Sequence, residues 1–215
     1  MIDRRGRGAS GPYPDAVTTA VDVGDLLAVL DATGARRILG VSSGAIIAAR
    51  AALARPEIIE RLALFEPPLS LDGSMRLDLA PRMDAAVAAG DLATAMGLGM
   101  KISQMGPPWM FGPPVPILAA FSRRMLTSAQ RRAQAEALPV DFAIVRENAD
   151  RIADFAAITT PVLLINGTAT RPFLRTAATG LASIIPGATH VEGSEEEPRR
   201  IERLGRLGRR RPQGR

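Results

Sequence analysis

Gly40-Val41-Ser42-Ser43-Gly44 stands directly after the apolar run Ile38-Leu39 and directly before the Ala-rich stretch Ala45 to Ala52. The chain reads as strand, sharp turn and helix around one serine. Small residues at Gly40 and Gly44, two positions either side of Ser42, suit a strained turn where strand and helix pack closely, and they predict that neither position has room for a side chain. Ser42 then projects its hydroxyl from a strand end, which makes it a candidate nucleophile. The N–H of Ser43, at the opening of the helix, is a candidate donor to a developing negative charge, because the first N–H groups of a helix lack intrahelical acceptors.

The flanking segments extend the same alternation. Residues 16 to 33 carry Val17, Val21, Leu26, Leu27 and Leu30 at helical spacing and end at Gly34. Arg37 to Val41 is short and apolar, as suits a strand buried in a parallel sheet. A helix over 43–54 precedes Pro56, and the next apolar run ends at Phe65, stopped by Pro67-Pro68. From about Leu69 to Asp154 the pattern turns helical: Met75 to Val87, Leu92 to Ile102, Ile117 to Met125, Ser128 to Leu138, and Phe142 to Phe155 leading back. Between them, Gly106 to Pro114 is punctuated by Pro and Gly and predicts a loop with no helix or strand interior. The run Val162 to Ile165 and the segment Pro186 to Glu192 predict two further strands.

Four stretches carry a family likeness. Asp3-Arg4-Arg5-Gly6-Arg7-Gly8-Ala9-Ser10 matches a D-x-R-G-x-G-x-S loop, and Gly40 to Gly44 a G-x-S-x-G turn between strand and helix. Ile59 to Pro68 and Thr160 to Gly167 match the two strands that follow. In this order and spacing they resemble the α/β-hydrolase superfamily of serine type, over Met1 to about Thr189. The resemblance implies an α/β fold: a mostly parallel sheet flanked by helices, with a helical lid inserted after the strand ending near Phe65. It divides the chain into a core over 1–68 and 155–197, a lid over 69–154 and a tail over 198–215. Family members also have strands ahead of the Asp3 loop, one ending in a His-Gly oxyanion loop, so the resemblance implies a front-truncated copy. The strand before Ser42 then becomes an apolar sheet edge, which predicts poor solubility or edge-to-edge dimerisation unless lid or terminal residues cover it.

The same resemblance implies a triad in the order Ser, Asp or Glu, His. Ser42 takes the first place, with the Ser43 N–H as oxyanion donor. The loop after 162–165 reads Gly167-Thr168-Ala169-Thr170-Arg171-Pro172 and lacks a carboxylate, so the acid falls to Glu66 at the end of the preceding strand, with Asp150 and Asp154 as weaker candidates. Glu66 reads equally as an exposed strand-terminal residue. His190 is the only histidine, so a triad on this chain has it as base. Its context, however, reads as the start of the last strand rather than the Gly-His loop of the family. The implied reaction is hydrolysis of an ester or related acyl compound through an acyl-enzyme. A haloperoxidase-like activity uses the same serine, and a non-catalytic binding module keeps the fold without the chemistry. Met83, Met96, Met100, Met105, Trp109, Met110 and Phe111 read as lid packing or as an apolar pocket for the acyl group.

Composition narrows the remaining classes. The chain has 215 residues, a net charge of +5 and no cysteine, which fits one domain with an insert and removes disulfides and thiolate chemistry. No metal or organic cofactor is implied. The charge is concentrated at one end, where eight arginines between Arg199 and Arg215 face Glu202 alone. Such a blocked run predicts a solvated tail rather than a specific nucleic-acid partner, with salt-sensitive attraction to polyanions as the other reading. No apolar stretch has signal-peptide or membrane-spanning length, so a cytoplasmic location without a membrane span is the expectation.

Overall fold

The computed structural model describes residues 3–8, 10–13, 17–104 and 107–193; the expected tail over 198–215 lies outside the described residues. Helix α1 spans Thr19–Thr33 and ends at Gly34, whose φ of 67° lets its N–H return to the Leu30 carbonyl. Then follow β1 (Arg37–Val41), α2 (Ser43–Ala54) and β2 (Arg61–Phe65). Among the described residues, six α-helices lie between β2 and the next strand: α3 (Ala80–Ala88), α4 (Leu92–Ser103), α5 (Pro108–Phe111), α6 (Val115–Met125), α7 (Ala129–Glu136) and α8 (Leu138–Glu147). The described residues end with β3 (Val162–Gly167), α9 (Pro172–Ile184) and β4 (Thr189–Gly193).

Among the described residues four strands form one sheet in the order β1-β2-β3-β4, and every pairing is parallel. Leu39 pairs with Ala63 and Ala63 with Leu163, so side chains align in rows across the sheet. One set of rows is covered: Leu62, Leu64, Val162 and Leu164 are buried. The other set is more open, with Val41 at 48%, Leu163 at 36% and Val191 at 40% exposure. Parallel sheets are ordinarily covered on both faces. Among the described residues β1 is also an edge strand.

The helical insert does not form a separate core. Met83 of α3, Leu98 and Ile102 of α4, and Ile144 and Val145 of α8 join Ile46, Leu64, Leu164 and Leu181 in one apolar cluster, while Ala93, Ala119, Leu126 and Ala135 make a small satellite. A buried polar junction pins the return of the insert to the body. Asn148 donates from Nδ2 to Thr19 Oγ1 (2.9 Å) and to the Ile144 carbonyl (2.8 Å), and its Oδ1 accepts from Arg50 Nε (2.7 Å). The Arg50 guanidinium stacks 4.6 Å over the Phe155 ring. Asn148→Ala leaves these partners unpaired in the interior and is expected to cost about 3 kcal/mol, read as a lowered urea midpoint with unchanged slope.

Two local expectations are corrected. Pro108–Phe111 forms a single helical turn rather than an irregular loop, because Pro108 sits at its first position, where the missing N–H is not needed. Gly44 has open space around its Cβ direction, so of the two small residues around Ser42 only Gly40 is required by packing. Among the described residues no helix is long and apolar enough to cross a membrane.

Candidate functional site

Ser42 joins β1 to α2 at φ 54° and ψ −129°, a region that costs a side-chain-bearing residue about 1–3 kcal/mol. The surrounding bonds hold it there. Its N–H donates to the Phe65 carbonyl at 2.9 Å, continuing the β1–β2 ladder, while its own carbonyl accepts from Ala45 N–H at 2.8 Å as the helix begins. Gly40 lets the two elements meet: a Cβ there would stand 2.6 Å from Ala45 Cα and 2.6 Å from the Gly44 oxygen. Ser42 is exposed and Ser43 buried.

Glu66 occupies the matching corner of β2. Val41 pairs with Phe65, so Ser42 and Glu66 are level neighbours about 5 Å apart at Cα. Glu66 also has positive φ, at 47°. Its Oε1 accepts from Gly167 N–H (3.1 Å) and Thr170 Oγ1 (2.5 Å). Gly167 ends β3 and Thr170 lies just beyond it, so that oxygen is turned across the sheet away from Ser42.

His190 lies within β4, level with Leu164 and therefore with Leu64 and Gly40. Three strand spacings and two residues of rise separate it from Ser42, about 16 Å at Cα. Its Nε2 is 2.7 Å from Asn166 Oδ1, which makes Nε2 the donor. Asn166 is fully buried, and its Nδ2 reaches Thr170 Oγ1 at a long 3.5 Å. The structure thus gathers Glu66, Thr170, Asn166 and His190 across the ends of β2, β3 and β4, and leaves Ser42 outside that chain of contacts. The imidazole is not brought to the hydroxyl.

The weaker acids are committed elsewhere. Asp150 Oδ1 accepts from Asp72 N–H at 2.7 Å. Asp154 pairs with Arg50 and Arg151, each at 2.8 Å, and the hydrogen bond from Arg50 holds its carboxyl below the usual range.

A second cluster at the start of α2 was not foreseen as part of the site. Arg4 donates from Nε and Nη2 to the two Asp22 oxygens (3.0 and 2.7 Å), and from Nη1 to Ser43 Oγ (3.1 Å) and Asp141 Oδ1 (2.8 Å). Ser43 Oγ donates to the same Asp141 oxygen at 2.8 Å, and Arg7 pairs with the other at 2.5 Å. Burial alone would lower the Arg4 guanidinium, but Asp22, Tyr13 and Asp141 raise it overall. Burial pushes the Tyr13 hydroxyl, which donates to Asp22 at 3.0 Å, up to about 12. In the D-x-R-G-x-G-x-S loop Arg4 stands at the variable position beside the motif's Arg5, so the motif marks the loop but not Arg4, and nothing in the sequence pointed to Asp141.

Among the described residues no group of three His, Cys, Asp or Glu side chains is placed to hold a metal ion. An open cleft of about 290 Å³ in the insert, lined by Asp91, Arg123 and Arg132 among others, includes none of the candidate residues.

A serine at a strained strand-to-helix corner, on the carboxyl edge of a parallel sheet, defines the class of the protein. The Alpha/beta hydrolase family profile matches residues 1–204, and the chain belongs to that family. It is similar to the crystal structure of an alpha/beta hydrolase from Sphaerobacter thermophilus DSM 20745, at 34% identity over 94% of this chain and 78% of that one, with a TM-score of 0.74. A hydrolase from Pseudomonas aeruginosa PA01 is 28% identical over 96% of this chain and 78% of that one, with a TM-score of 0.62. The enol-lactonase from Burkholderia xenovorans LB400, at 21% identity over 96% and 77% of the two chains and a TM-score of 0.61, shares the fold. No curated protein matches the chain.

Proposed function

We propose that the chain acts on an ester or related acyl compound, with Ser42 as the nucleophile and the Ser43 N–H as a donor to the oxyanion. The observation that carries this reading is the exposed Ser42 at φ 54° on the corner between β1 and α2. Attack by its oxygen on the acyl carbon forms a tetrahedral oxyanion; collapse expels the alcohol and leaves an acyl-enzyme, which water then cleaves. The Ser42 proton must pass to a base. With His190 held on Asn166, solvent takes that role, and the chemistry rests on the oxyanion donor and on binding, which alone give about 10³–10⁴ over water in serine hydrolases stripped of their triad. A fluorophosphonate probe tests the reading: it is expected to label the wild-type chain slowly, with the adduct on Ser42, and to leave Ser42→Ala unlabelled.

The contact between His190 and Asn166 favours a second reading, a non-catalytic member of the family that binds an acyl compound in its lid. That reading expects thermal stabilisation by short-chain esters with neither labelling nor turnover. In both readings the insert over 69–154 serves as the lid, and Trp109, at 69% exposure, with Met110 and Phe111 supplies its apolar surface.

We also propose that the open sheet edge is a self-association surface. Val41, Leu163 and Val191 stand exposed on one sheet face, and among the described residues β1 offers an unpaired edge beside them. Size-exclusion chromatography with light scattering is expected to show a dimer or larger, and Val41→Lys to shift it toward monomer. A monomeric wild-type chain would contradict the proposal.

A further inference from the structure

Three segments far apart in the sequence converge on the hydroxyl of Ser43. Arg4 comes from the loop before α1, Ser43 opens α2, and Asp141 stands in the first turn of α8. Asp141 Oδ1 accepts from both Ser43 Oγ (2.8 Å) and Arg4 Nη1 (2.8 Å), and Arg4 Nη1 also donates to Ser43 Oγ (3.1 Å), closing a triangle of three short contacts. The triangle is anchored on both outer sides: Arg4 is gripped by Asp22, whose side chain is 3% exposed, and Asp141 by Arg7. Ser43 itself is 7% exposed.

The anchored atom lies three bonds from the Ser43 nitrogen. That N–H heads α2, where it has no intrahelical acceptor, and it follows directly on Ser42, which sits in a strained conformation. A strained corner followed by a free helix end tends to relax unless something fixes the first helical residue. Here the fixing is done from outside the corner, by the insert and the amino-terminal loop together.

We propose that Asp141 is a positioning residue for the Ser43 amide, clamping the Ser43 hydroxyl with the help of Arg4 and so aiming the N–H at the site where an oxyanion forms. The step from aimed N–H to catalysis rests on the nucleophile reading above; the clamp itself does not. It makes α8 part of the site's geometry, because movement of α8 away from the body withdraws the acceptor that holds Ser43.

Two measurements on the full chain test the clamp. Amide hydrogen exchange over residues 42–45 is expected to accelerate about tenfold in Asp141→Asn and in Ser43→Ala, and to return toward the wild-type rate in Ser43→Thr, which restores the hydroxyl. Asp84→Asn, which breaks the 3.0 Å pair between α3 and Arg146 of α8 without touching Ser43, is the control and is expected to leave that peptide unchanged. Fluorophosphonate labelling of Ser42 is expected to slow about tenfold to a hundredfold in Asp141→Asn and Ser43→Ala, as misplacement of a reacting group does. Unchanged exchange in both variants, or equal acceleration in Asp84→Asn, overturns the clamp. Altered exchange with an unlabelled wild-type chain leaves the clamp standing and overturns the nucleophile reading instead.

Discussion

Gly40→Ala is expected to lower the stability of the chain by about 3 kcal/mol, while Gly44→Ala in the same five-residue turn raises it slightly. The added methyl at Gly40 would meet Ala45 Cα and the Gly44 oxygen at 2.6 Å each, and Ala45 N at 3.0 Å. All three are backbone atoms of the first turn of α2, so no flexible side chain can move aside. Either β1 and α2 part, which uncovers the buried residues Ile46 and Ile47, or the corner at Ser42 changes conformation. At Gly44 a methyl meets nothing within 4 Å, and an alanine in a helix gains about 0.5–1 kcal/mol over glycine. Thermal melts of the two variants should therefore move in opposite directions. At about 2–4 °C per kcal/mol for a chain of this size, the gap between them is about 10 °C. Equal melting temperatures would mean that strand and helix do not approach each other at Gly40.

The turn that decides the fold was legible because its signal is local. β1 and α2 fall at 37–41 and 43–54 as their apolar runs indicate, β2 ends at Phe65 before Pro67, and β3 begins at Val162 after Pro161. The likeness of the Asp3 loop and the two later strands then fixed the parallel order. α9 was equally legible and went unread: Phe173, Ala177, Ala178 and Leu181 are buried at helical spacing. Gly44 misled because a motif glycine need not be a packed glycine; the motif records a pattern, while the space depends on where α2 points. The clamp on Ser43 was not legible at all, since its acceptor lies 98 residues away on a helix of the insert. His190 is the instructive case. Its sequence context placed it within a strand, and β4 does run from Thr189 to Gly193. What the sequence could not supply was the register that sets it level with Leu164, three strands from β1.

That placement governs the other large effect. Ser42→Ala is expected to abolish fluorophosphonate labelling and the acyl-enzyme route to turnover of an activated ester, leaving only the residual hydrolysis that the Ser43 N–H and binding support without a nucleophile. His190→Ala is expected to change neither. Were His190 the base that takes the serine proton, its removal alone would cost about 10⁶ in turnover, so the pair of variants separates the two arrangements by several orders of magnitude. The dependence on pH gives the same answer independently: with hydroxide or water accepting the proton, labelling climbs steadily from pH 6 to pH 9 and shows no plateau. A plateau lost on His190→Ala would mean that β4 leaves its Asn166 contact and carries the imidazole across the ends of β2 and β3 to reach Ser42. The hydrogen bond to buried Asn166 at 2.7 Å and the parallel ladder to β3 both oppose that movement. Ser42→Ala itself removes only an exposed hydroxyl whose backbone bonds to Phe65 and Ala45 remain. The loss of labelling should therefore come with an unaltered fold, and a melting temperature within a few degrees of wild type is the control that makes it interpretable.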